Sequence, residues 1–422
     1  MTIGGESGAG TRDQTPEQHQ TSDRHRDAEA DQFADRSPDQ AAHQAAQPVP
    51  DPVPDSAAHQ SRNLLLPPVV ECRPTAWFLR QVEKQRKGRG TGTPNLRPLT
   101  RAELLRNKVT RAGIRDNYCL VDYGMYVPND QLLPELAESG YRRERRVHPG
   151  TLTIAHLLRH PGRIGTGFAA GSIFGMKYFV DEEPLEFFAS TGTRRSGAPG
   201  HILLTPTRRL GRYREGGYRI TGLVEPLTIT SPATSLSMML KTVSTPDTAR
   251  TRRWRVPDLR SVRPFLSPQF IRGVQVSDAL RQALGPLAPE DPADLLVPGG
   301  ADASFAAAVL GYTDGGAESP PETLLRLVVS DLAPGLRSQI PIWEGDGDRL
   351  LTVADVGWED RGLFLFYDGV HHLQRGQRDH DSTVWRTMQR DGKRVLRITA
   401  GALADADAVT SLREEIDEAL RQ

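Results

Sequence analysis

Asp355 and Asp368 fall within and at the end of two apolar stretches, "RLLTVADVGW" and "RGLFLFYDG", and His371 and His372 follow the second. Paired as a hairpin, these stretches would bring carboxylates, a main-chain carbonyl oxygen and imidazoles to one edge of a sheet. Such a group can hold Mg²⁺ and position a water. Phosphodiester hydrolysis uses both, because the metal neutralises charge at phosphorus while the water attacks it. A plainer reading stands beside this one: an Asp-Gly closing an apolar strand makes a turn, and a His pair beyond it lies on the surface.

The elements that must position these groups are legible around them. In "ESPPETLLRLVVSDLA", Ser319 is a cap, Pro320 takes the first helical position and Glu322 follows three residues after the cap, which marks a helix start. Leu324, Leu325, Val328, Val329 and Leu332 form its apolar stripe. "RSQIPIW", "RLLTVADVGW" and "RGLFLFYDG" predict three strands, and the unbroken run from Leu363 to Tyr367 predicts a central one, buried on both faces. "DHDSTVWRTMQRDG" predicts a helix closed by Gly392, "KRVLRITA" a strand and "AVTSLREEIDEALRQ" a final amphipathic helix. The order expected over 316–422 is αβββαβα.

Further upstream, 11 basic residues stand against two acidic ones between Arg80 and Arg115. "LTRAELLRNKVTRAGI" opens with Thr100 and Glu103 at capping-box spacing, and "YCLVDYGMYVP" alternates as a short strand or hairpin. Helix, helix and a Gly-containing wing predict a winged-helix-like DNA-binding region over 68–130. Arg101, Arg106, Lys108, Arg111 and Arg115 are spaced so that several share a helical face, which would neutralise phosphates and make DNA affinity salt-sensitive. Arg142, Arg143, Arg145 and Arg146 form a second basic cluster, equally readable as solvated surface. Residues 145–300 mix helices ("TLTIAHLLRH", "QVSDALRQALG") with strands ("GHILLTP", "GYRITGLVEPLTIT"), as an α+β middle domain would. "DPADLLVPGGADAS" and "GYTDGGAESPP" read as a hinge before the last domain.

Lys+Arg and Asp+Glu both number 53, yet residues 1–62 carry 11 acidic and 5 basic side chains, leaving the remainder with a surplus of six positive charges. That surplus makes the body of the chain mildly attractive to polyanions. Residues 1–62 are rich in Gln, Asp, Ala, Pro and His, with Phe33 their one aromatic, and predict a disordered tail. Cys72 and Cys119 make no CxxC pair, which excludes a zinc ribbon, a disulfide framework and an iron–sulfur site. No apolar run approaches the roughly 18 residues of a membrane span, and none follows Met1, so a soluble cytoplasmic protein with no membrane partner is expected. The fold class expected is thus α+β and α/β, multidomain.

In order, "SPPETLLR", Gln339, Asp355, "YDGVHH", Asp381 and "GKRVLRIT" resemble a Vsr-like domain, related to the very-short-patch repair endonucleases of the PD-(D/E)XK class and found at the C-terminus of many actinobacterial proteins. The resemblance covers about Glu318 to Gln422 and implies a restriction-endonuclease-like fold. The family's E-x-D-G motif has Phe366 in place of its Glu here, although the repair endonucleases themselves carry F-x-x-G with a single central Asp. "LTRAELL" and "LVDYGMYVP" resemble the wing end of AbiEi-type antitoxins. "GTGFAAGSIFGM" and "LTITSPATSLSMML" resemble the middle region of the same proteins, with Phe168 where the family has a small residue and Ser235 where it has Thr.

The resemblance implies Asp355 as the first metal ligand and Asp368 as a second ligand or orienting carboxylate. It implies His372, or else His371, as the group that activates or orients water. Glu322 could reach the site from its helix, and reads equally as a cap. Arg326 is expected as a structural ion-pair partner and Asp381 near the rim. Three functions follow as expectations: a DNA-binding regulator or antitoxin-like protein whose nuclease-type domain is degenerate or serves binding, an active Mg²⁺-dependent endonuclease, or a protein that binds a cognate toxin.

Overall fold

A computed structural model describes residues 97–131, 147–181, 183–189, 202–206, 218–220, 227–246, 254–344, 349–368 and 384–422. The expected tail, residues 68–96 of the expected winged region, Arg142, Arg143, Arg145, Arg146, His371, His372 and Asp381 lie outside the described residues. What is described is mixed α/β, built on three small sheets.

The first of these combines β1 (Leu99–Thr100), α1 (Arg101–Arg106), α2 (Arg111–Asn117), β2 (Tyr118–Asp122) and β3 (Met125–Pro128), with antiparallel strands in the order β1-β3-β2. The capping box is present: the Thr100 hydroxyl accepts from Glu103 N–H, and the Glu103 carboxylate accepts from Thr100 N–H. Six residues later α1 ends, because Val109 N–H bonds to Leu104 O and Lys108 N–H to Leu105 O while Lys108 turns left-handed at φ 63°. Thr110 then caps α2. The basic stretch is therefore two short helices with Lys108 in the joint between them. Leu104, Ile114, Val121 and Val127 pack beneath, together with Ala155 of the next helix.

That helix, α3 (Pro149–Arg159), leads into β4 (Ile164–Thr166) and α4 (Gly167–Phe174), every residue of which is buried. β5 (Leu185–Ala189), β6 (Ile202–Pro206), β7 (Tyr218–Ile220) and β8 (Leu227–Ile229) complete a mixed sheet in the order β6-β5-β4-β8-β7. α5 (Pro232–Ser244) and α6 (Pro268–Leu284) pack against each other and, in turn, on α4.

The stretch expected as a hinge is instead packed structure. Asp302 caps α7 (Ala303–Gly311), whose Ala306 and Val309 belong to the same core as α6. Gly273 permits the approach: a Cβ there would fall 2.8 Å from Val309 Cγ2. Pro and Gly in that stretch mark turns between packed helices, which composition alone does not distinguish from a linker.

α8 (Pro320–Val329) is buried around its circumference, not along a single stripe, because it lies between α6 and the last sheet. That sheet comprises β9 (Leu336–Glu344), β10 (Arg349–Trp358), β11 (Leu363–Asp368) and β12 (Arg394–Thr399), in the order β12-β11-β10-β9. β11 is central as expected, antiparallel to β10 and parallel to β12. Pro341 sits in β9 at the sheet edge, where a missing N–H costs no ladder bond. A helix over 384–390 contributes Val384 and Met388 to one face, where Ile340, Ile342, Ala354 and Phe364 meet them. α8 and the final helix α9 (Ala406–Arg421) cover the other face, where Val356, Trp358, Leu363 and Leu365 join a core that runs back to Ile154. Among the described residues, the α-helices and strands over 320–421 follow the order αβββαβα.

Candidate functional site

β10 changes face at Asp355. Ala354 packs toward the helix over 384–390, whereas Val356 packs toward α8 and α9. Opposite Asp355, Gln339 falls between the pairs Ser338–Val356 and Ile340–Ala354 and takes φ 51°. A left-handed non-glycine residue inside a strand costs about 1–2 kcal/mol. Here it aims the Gln339 amide at Glu322, whose Oε2 accepts from Nε2 at 3.3 Å.

Glu322 serves the start of α8 as well. Glu318 N–H donates to its Oε2 at 2.8 Å and the Ser319 hydroxyl to its Oε1 at 2.6 Å. Ser319 therefore gives a hydrogen bond to the glutamate, and its side chain does not cap the helix. Burial raises the pKa of Glu322. Asp355 accepts from Tyr367 N–H at 2.7 Å. Burial, followed by the charge of Glu322, pushes its carboxyl up to about 7. At neutral pH this acid is divided between its two protonation states.

Asp368 does not join them. Phe366 and Asp368 share one face of β11, as alternation requires, and that face is turned to the helix over 384–390. There Asp368 pairs with Arg397, whose guanidinium lies 4.3 Å above the Trp385 ring. Phe366 packs against the apolar cluster of the same face. Asp368 is thus engaged by Arg397, and the carboxylate whose charge acts on Asp355 is that of Glu322. Among the described residues, Glu322, Asp355 and Asp368 do not converge as a three-ligand group. Both oxygens of Glu322 already accept hydrogen bonds. These residues do not fit the several oxygen ligands that Mg²⁺ requires, and no hydrolytic step is derived through it.

Arg326 meets its expected partner: Nη2 lies 2.8 Å from Asp278 Oδ2 on α6. Thr323 Oγ1 and Asp314 N–H also donate to Asp278. Even so, full burial raises that carboxyl to about 6.

Arg101, Arg106, Lys108 and Arg111 are all exposed on and between α1 and α2, and none makes an ion pair among the described residues. Arg115 is exposed too, with its Nε 2.8 Å from Asp116 Oδ1. The hairpin of β2 and β3 projects beside them, with Tyr123 at its tip 79% exposed and Arg159 stacked 4.8 Å from its ring.

One cluster escapes a reading of the sequence alone. Asp122, at the end of β2, meets His156 of α3 and His160 just past its end, with one ligand-capable atom from each within 4.8 Å of the others. The four-residue spacing of the two histidines was a visible signal, but Asp122 reaches them only through tertiary packing.

No protein-family model, characterised protein or solved structure matches this chain.

Proposed function

We propose that this chain is a DNA-binding protein, of regulator or antitoxin type, whose C-terminal nuclease-type domain serves binding and does not cut. The observation that carries the reading is the set of exposed cations on α1 and α2, Arg101, Arg106, Lys108 and Arg111, beside a projecting β-hairpin. Each can neutralise a backbone phosphate, so affinity should fall steeply with salt. Phe366 within the apolar cluster and Asp368 held by Arg397 support a site that has lost its ligands.

A second reading, Mg²⁺-dependent DNA cleavage, rests on Asp355, whose carboxyl is raised by burial and by the charge of Glu322. Incubation of plasmid DNA with the protein in Mg²⁺ or Mn²⁺, beside Asp355→Ala, separates the two. The binding reading expects intact plasmid in every lane. Cleavage by the wild type that Asp355→Ala abolishes would replace it with the second.

A further inference from the structure

Asp122, His156 and His160 play no part in the reading above. His156 lies in the last turn of α3 and His160 is the residue just past its end, and the two rings lie 4.6 Å apart between centroids, beside Asp122 at the end of β2. Asp122 is only 8% exposed. Its Oδ1 accepts from Tyr123 N–H at 2.6 Å and from Arg159 Nη1 at 2.8 Å. Its Oδ2 is buried with no hydrogen-bond partner, and His156 Nδ1 faces it at 3.5 Å.

We propose that Asp122 Oδ2, His156 Nδ1 and a ring nitrogen of His160 bind a transition-metal dication such as Zn²⁺, with water in the fourth position. Two imidazoles and a carboxylate are a borderline-soft ligand set, which suits Zn²⁺ and disfavours Mg²⁺. Arg159 remains on Oδ1 as the outer partner of the ligating carboxylate. Arg163 is the competitor. Its Nη1 lies 2.6 Å from His156 Nε2, which accepts that bond only while Nδ1 carries the ring proton. A metal on Nδ1 moves the proton to Nε2, so Arg163 must swing away for the ion to enter. The bound ion would pin the small sheet to α3.

Titration of the full chain with Co²⁺, read by its visible absorption, tests this. The intense bands of four-coordinate Co²⁺ should saturate at one equivalent and disappear when Zn²⁺ is added. His160→Gln, at a partly exposed position, should abolish them with the circular dichroism spectrum unchanged. Substitution of the four tail histidines, His19, His25, His43 and His59, should leave them intact. Arg163→Gln removes the competing charged donor and should tighten Co²⁺ binding about tenfold, the equivalent of one hydrogen bond to a charged group. Absent bands in the wild type, bands that survive His160→Gln, or an affinity indifferent to Arg163→Gln would each overturn the site. Should His160→Gln lose its fold, the Arg163→Gln affinity decides.

Discussion

Arg326 of α8 and Asp278 of α6 form a buried ion pair, Nη2 to Oδ2 at 2.8 Å, that locks the last sheet's first helix to the layer before it. Each side chain is at most 10% exposed. Removing one partner leaves an uncompensated charge in a low-dielectric interior, which costs about 3–5 kcal/mol. Arg326→Leu should therefore lower the urea midpoint strongly. The double variant Arg326→Leu/Asp278→Leu should recover most of the loss. A double variant no more stable than the single one would show that the pair is not what α8 depends on.

Lys108 gives a prediction with two opposite signs. It occupies the left-handed position after α1, where glycine is ordinarily favoured, and its side chain is exposed. Lys108→Gly should stabilise the chain by about 1 kcal/mol through relief of the backbone conformation. The same change should weaken DNA binding and reduce the slope of log affinity against log salt by about one phosphate contact. Urea denaturation and a salt titration read the two effects separately. A variant less stable than wild type would contradict the first, and an unchanged slope the second.

Asp355 sets a pH dependence. Its carboxyl is raised from the ordinary 3.8 to about 7, so the folded chain holds a proton that the unfolded chain releases. Stability contributed at this position is present below about pH 4, is lost as pH rises through about 7, and stays lost above. Asp278, raised to about 6, adds a slope of the same sign. Asp355→Asn should flatten only its own share and should be more stable than wild type at pH 8, by up to about 4 kcal/mol. Thermal unfolding of both proteins between pH 4 and pH 8 checks this. Parallel curves would mean that Asp355 ionises without cost.

Much of the C-terminal fold was legible because its signals are local. The Leu363–Tyr367 run marked the central strand and Gly392 ended a helix, since burial on two faces and a left-handed turn leave direct traces in residue type. The basic residues near α1 and α2 were legible as charge. The break at Lys108 was not, because a lysine in a left-handed turn carries no signal in its type. The site was half legible. Glu322 and Asp355 were both singled out, but the charge of Glu322 reaches Asp355 only through the packing of α8 on β10, and Asp368 pairs with Arg397 of the neighbouring parallel strand. The helix in the expected hinge was hidden for a similar reason: the fit of α7 onto Gly273 is a tertiary contact.

The central claim, that α1 and α2 present a phosphate-binding surface, is tested most directly by fluorescence anisotropy of a short labelled duplex over a range of salt concentrations. Log affinity is predicted to fall linearly with log salt, and Arg101→Gln, Arg106→Gln and Arg111→Gln are each predicted to weaken binding and reduce the slope by roughly one contact. Affinity indifferent to salt, or slopes that all three variants leave unchanged, would contradict it.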